Sequence, residues 1–137
     1  MNISAAGIDF IKSNEGFRAS AYPDAGGFSI GYGHHILPGQ TFPHEITEQE
    51  ASTLLMDDLQ PIVHCLDMNV PKDCTQNQFD ALCDFGYNLG EGALLQMLGH
   101  GWNQVPEQMI RWVHVGTQVS PGLVARRKEE ISMFQST

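Results

Sequence analysis

The stretch Asn14-Glu15-Gly16-Phe17-Arg18-Ala19-Ser20-Ala21-Tyr22-Pro23-Asp24-Ala25-Gly26-Gly27-Phe28-Ser29-Ile30-Gly31-Tyr32-Gly33-His34 marks where the chain changes from a helical to an extended period. Before it, Ser4 predicts an N-cap for a helix over residues 5–15, and Gly16 stands where a left-handed C-terminal residue is usual. Ile8, Ile11 and Glu15, spaced by three and four, place Glu15 on the apolar face of that helix. Within the stretch, short runs of aromatic and β-branched residues flank the turn-forming segment Tyr22-Pro23-Asp24-Ala25-Gly26-Gly27, which predicts a small antiparallel hairpin. Gly31 and Gly33 are costly in a strand unless the backbone bends sharply or something approaches it closely.

Further along, residues 36–46 read as loop. Thr47-Glu48-Gln49-Glu50 is a capping box, and Ala51, Leu54, Leu55, Leu59, Ile62, Val63 and Leu66 then keep a helical period, with Pro61 expected to kink or split the helix. A second box, Thr75-Gln76-Asn77-Gln78, opens a helix carrying Phe79, Leu82, Phe85 and Leu89, stopped by Gly90 and Gly92. Shorter helices are predicted over 93–98, 106–115 and 121–134, the second ended by Gly116 and the third opened by Ser120-Pro121. The expectation is one α+β domain over 1–137, mostly helical, with a small hairpin lobe near its start and a helical lobe joined to it by the long helix.

Composition narrows the partners. Seven Lys+Arg against 16 Asp+Glu, a formal charge of −9, argue against nucleic acid and anionic membrane surfaces. No apolar run approaches the roughly 18 residues of a membrane span, and the first 14 residues lack the basic start and apolar stretch of a secretory signal. Cys65, Cys74 and Cys83 are odd in number and not in CxxC spacing, which reads as reduced structural thiols. The six histidines form no HxxxH or HExxH pattern, and the adjacent His34 and His35 point in different directions. No metal, no cofactor and a monomer are expected.

Glu15 and Asp24 are two carboxylates in contrasting settings. One closes a buried stripe at the negative end of a helix dipole, both of which favour its protonated form; the other lies in a polar turn and lacks both influences. Cleavage of a glycosidic bond needs such a pair, a protonated acid for the leaving oxygen and an ionised partner opposite. On spacing alone the ordinary readings stand beside this one: a glutamate near a helix end as a solvated cap or salt-bridge partner, and an aspartate that stabilises its own turn.

Three motifs in order, Asn14-Glu15-Gly16-Phe17-Arg18, Tyr22-Pro23-Asp24 and Ser29-Ile30-Gly31-Tyr32-Gly33-His34, together resemble the opening of the phage-type lysozymes (glycoside hydrolase family 24). The likeness continues through residues 47–59, 78–90 and 121–130. It implies a lysozyme-like fold and a muramidase that cuts the β-1,4 bond between N-acetylmuramic acid and N-acetylglucosamine in bacterial peptidoglycan. It further implies Glu15 as proton donor, Asp24 as the assisting carboxylate and Ser29 in the place of a threonine that helps hold the attacking water. Ser29 keeps the hydroxyl without the methyl, and the turn between Asp24 and Ser29 is one residue shorter than is common. By the same analogy Tyr87 and Asn88 contact sugar, with a purely core Tyr87 as the alternative. His34 reads as a structural hydrogen-bonding group. Arg126 and Arg127, ordinarily solvated helix residues, include one that reaches toward the helix of Glu15. The implied setting is an endolysin held in the host cytoplasm until release to the wall. A lytic transglycosylase and a glycan-binding module without activity are the competing readings.

Overall fold

The computed structural model describes residues Met1–Ser136, and its chain divides into two compact units. Asp9–Gln60 forms one; Met1–Ile8 and the chain from Pro61 onward form the other.

Helix α1 (Ala5–Glu15) opens where expected, with Ser4 Oγ accepting from the Gly7 amide at 3.1 Å. It ends at Gly16, whose φ of +72° and hydrogen bond from its amide to the Lys12 carbonyl close the last turn. Ile11 is fully buried and Glu15 half-buried on the same face. Strands β1 (Arg18–Asp24), β2 (Gly27–Gly31) and β3 (His34–His35) then form an antiparallel sheet in that order. The turn is tighter than the sequence suggests: only Ala25 and Gly26 lie outside the strands, both with positive φ, 47° and 82°, as a two-residue hairpin with the matching twist requires. Tyr22 therefore pairs with Ser29, and Asp24 with Gly27.

Helix α2 (Glu48–Asn69) starts on its capping box, with the Glu50 amide donating to Thr47 Oγ1 and the Thr47 amide to Glu50 Oε1, each at 3.1 Å. It runs through Pro61 without a break. Pro61 is exposed, so the carbonyl that loses its donor one turn earlier is on a side open to water. Helix α3 (Gln76–Leu89) carries the second box, both halves formed. Its Phe79, Leu82 and Phe85 are fully buried, as are Leu94 and Met97 of α4 (Glu91–Leu98). Cys65, Cys74 and Cys83 are buried free thiols, and burial raises all three, most strongly Cys83, where Asp80 and Asp84 add to it.

The helix expected over 106–115 is corrected. A single 3₁₀ turn (Trp102–Gln104) leads into α5 (Val105–Met109), which stops early, and strands β4 (His114–Val115) and β5 (Gln118–Val119) form a second hairpin. Gly116 does not end a helix; at φ +62° it takes the first position of a two-residue turn. Helix α6 (Pro121–Gln135) begins with Ser120 Oγ accepting from the Leu123 amide at 3.2 Å and packs on α3. No described helix is long and apolar enough to cross a membrane.

Candidate active site

Strand alternation and register decide which side chains share a face. Tyr22 and Asp24 are two apart on β1, Ser29 lies opposite Tyr22 on β2, and His35 lies opposite Ser29 on β3. The four side chains consequently meet. Ser29, fully buried, donates from Oγ to Asp24 Oδ2 at 3.0 Å and lies 2.9 Å from His35 Nδ1. Asp24 keeps 41% of its side chain exposed, so one carboxylate oxygen is fixed by Ser29 while the group as a whole remains accessible.

Glu15 reaches the same unit from the end of α1. Its carboxyl lies against the Gly33 backbone so closely that a Cβ on Gly33 would sit 2.5 Å from Glu15 Oε1. This is the close approach that explains a glycine there, and Gly33 also holds φ at +82°. Gly31 serves the fold in a similar way at φ +69°, against Ala51. Gly33→Ala is expected to displace the Glu15 carboxyl and to destabilise by about 1–2 kcal/mol for a left-handed non-glycine residue. Chemical denaturation of wild type and variant checks the loss.

The Tyr22 phenol feels the charge of both carboxylates. Burial raises its phenol, with the charges of Asp24 and then Glu15 adding to the effect and Arg18 opposing it. The Arg18 guanidinium stacks 4.5 Å above the Tyr22 ring. Neither Tyr22 nor His35 received a role from motif reading. The signal was present in the alternation: once Tyr22 pairs with Ser29, Asp24 and His35 must share their face.

His34 points the other way and is buried. Its Nδ1 is 2.7 Å from Asp58 Oδ2 and its Nε2 2.9 Å from Gln40 Oε1, so both ring nitrogens are committed to holding the loop and α2. Tyr87 and Asn88 belong to the other unit, near the end of α3. Tyr87 is half-buried, and Asn88 Oδ1 accepts from Arg127 Nη2 at 2.6 Å. The two arginines are not solvated. Arg126 forks onto the buried carboxylate of Asp84, both contacts at 2.9 Å, and Arg127, fully buried, lies 2.7 Å from Glu130 Oε1 and 5.0 Å over the Phe85 ring. Helix α6 turns this face inward onto α3, which takes both guanidiniums out of water. Among the described residues no group of three or more His, Cys, Asp or Glu side chains is placed to hold a metal ion.

The chain has relatives among known proteins. The chain is 42% identical to an endolysin of Bacillus phage B103 over 98% of its length but only 54% of that protein's, so it spans about half of that relative. It is 32% identical to the endolysin of Salmonella phage P22, covering 99% of both chains. Among solved structures it is similar to the muramidase domain of SpmX from Asticaccaulis excentricus, with a TM-score of 0.85 at 35% identity and 99% of each chain covered. It is likewise similar to the endolysin from Escherichia coli O157:H7 phage FAHEc1, with a TM-score of 0.83 at 29% identity, covering 99% and 94%. The signature of the phage lysozyme family matches residues 12–130, and with it α1, the three-stranded sheet and the helices that follow place this chain in the phage lysozyme family.

Proposed function

We propose that the chain is a muramidase of bacterial peptidoglycan, hydrolysing the β-1,4 bond between N-acetylmuramic acid and N-acetylglucosamine. The observation that carries this reading is the contrast between two carboxyls of one unit: Glu15, half-buried against the Gly33 backbone, and Asp24, accessible and held through one oxygen by Ser29. Glu15 gives its proton to the leaving glycosidic oxygen. Asp24 stabilises positive charge on the sugar or takes a proton from the attacking water, whose oxygen becomes the new hydroxyl at C1. Ser29 is fully buried, so its part is to orient Asp24 toward that water. Tyr87 and Asn88 are proposed sugar contacts. The protein acts as a monomer, remains in the host cytoplasm until release to the wall, and there serves host lysis.

Mass spectrometry of soluble fragments from purified peptidoglycan tests the chemistry. Reducing muramic acid ends are expected. Anhydro-muramic ends would instead assign the attack to the substrate's own hydroxyl, and an absence of fragments would leave a glycan-binding module.

A further inference from the structure

The register that pairs Ser29 with His35 puts an imidazole beside the buried hydroxyl that holds Asp24. Ser29 Oγ is 3.0 Å from Asp24 Oδ2 and 2.9 Å from His35 Nδ1, while His35 Nδ1 and Asp24 Oδ2 are 3.9 Å apart. A hydroxyl has one proton to give. The Tyr22 phenol is a further hydrogen-bond partner of Ser29, and its own O–H can donate to Ser29 Oγ. A bare Nδ1 competes with Asp24 for the serine proton, whereas an Nδ1 that carries hydrogen donates to Ser29 Oγ and leaves that proton for the carboxylate. The second arrangement puts the charged acceptor at the end of the chain, where the hydrogen bonds are strongest and reinforce one another.

We propose that His35, through Nδ1–H, is a positioning residue that commits the Ser29 hydroxyl to Asp24 Oδ2 and so fixes the orientation of that carboxylate during cleavage. The inference rests on the reading of Glu15, Asp24 and Ser29 as the cleaving set. The ionisable groups on the neighbouring elements are Asp24 and Tyr22 of β1, with Arg18 stacked on Tyr22, Glu15 at the end of α1, and Asp58 of α2, which is bound to His34. The imidazolium keeps Nδ1–H, so the chain survives protonation of the ring. Only the Nε2–H tautomer breaks it. The side chain of His35 is 68% exposed, so its replacement leaves no cavity and the effect of a variant is read on the site rather than on the fold.

Two measurements on the full chain decide the matter. In nitrogen-15 NMR of the histidine rings at neutral pH, His35 is expected to carry hydrogen on Nδ1; a bare Nδ1 overturns the proposal. In kinetics on solubilised peptidoglycan strands, His35→Leu is expected to lower kcat about 10-fold with KM unchanged, and His35→Asn, whose amide places an N–H near the Nδ1 position, to recover most of the rate. In a Ser29→Ala background His35→Leu should cost nothing further, because its effect passes through that hydroxyl. The same 10-fold loss in both backgrounds, or a wild-type kcat in His35→Leu, overturns the proposal. Wild-type rates in Asp24→Asn and Ser29→Ala alone would overturn the cleaving set itself, an outcome read separately from the His35 variants.

Discussion

Arg127→Met is expected to destabilise the fold by about 2–4 kcal/mol, the cost of leaving acceptors without their donor in a buried cluster. Arg127 and Glu130 are both fully buried, and Arg127 supplies hydrogen bonds to Asn88 Oδ1 at 2.6 Å and Glu130 Oε2 at 3.1 Å. Without the guanidinium the buried Glu130 oxygen loses its donor away from water, which is costly whether or not Glu130 is charged, and the part-buried Asn88 loses a partner as well. Burial pushes the Glu130 carboxyl up, with a hydrogen bond to Asp84 and the charge of Asp84 adding to it; Arg127 and Arg126 pull it down, and the balance leaves it raised from 4.5 to about 10. Burial likewise lowers Arg127, against the pull of Glu130. A carboxyl raised on folding contributes stability that is complete below 4.5 and is lost as pH climbs toward about 10. Stability should therefore fall between about pH 6 and about pH 9, by at most about 1.4 kcal/mol per pH unit for one proton. Glu130→Gln, which no longer titrates but keeps a donor for Asp84, should flatten that slope. Chemical denaturation across this range checks both variants; Arg127→Met within about 1 kcal/mol of wild type would mean that the cluster relaxes without cost.

The parts of this arrangement that sequence made legible are those governed by local chemistry. Ser4, Gly16 and the boxes at Thr47 and Thr75 act through hydrogen bonds within three residues or through a single φ, so their positions in the chain determine their structural effect. Gly33 was readable as a place of close approach, and the group that approaches it is Glu15. The parts that were not legible depend on partners distant in the chain. Periodicity alone reads Arg126 and Arg127 as solvated, and the resemblance adds only that one of them reaches toward the helix of Glu15; their partners Asp84 and Asn88 are distant in the chain, on α3. The hairpin at His114–Val119 was obscured because Pro106 and Gly116 fit the ends of a helix as well as they fit a shorter helix followed by a tight turn. Pro61 was expected to disturb α2, but one exposed carbonyl is a small loss in a helix of 22 residues. At the candidate site the motif named Glu15, Asp24 and Ser29, whereas Tyr22 and His35 emerged only from the register of three strands.

Glu15→Gln has the largest expected effect on activity. The amide keeps the size and shape of the side chain against Gly33, so the helix end and the sheet are undisturbed, but it has no acidic proton for a leaving oxygen. Loss of a general acid costs about 10²–10⁴ in rate, and the leaving group here, a sugar alkoxide, is poor without protonation. The account is tested most directly by the release of reducing ends from purified peptidoglycan, comparing wild type and Glu15→Gln at equal concentration with the thermal midpoint of each recorded. The expected result is a rate about 10³ lower at an unchanged midpoint; a folded Glu15→Gln protein that cuts at the wild-type rate would contradict the assignment of Glu15 as the acid.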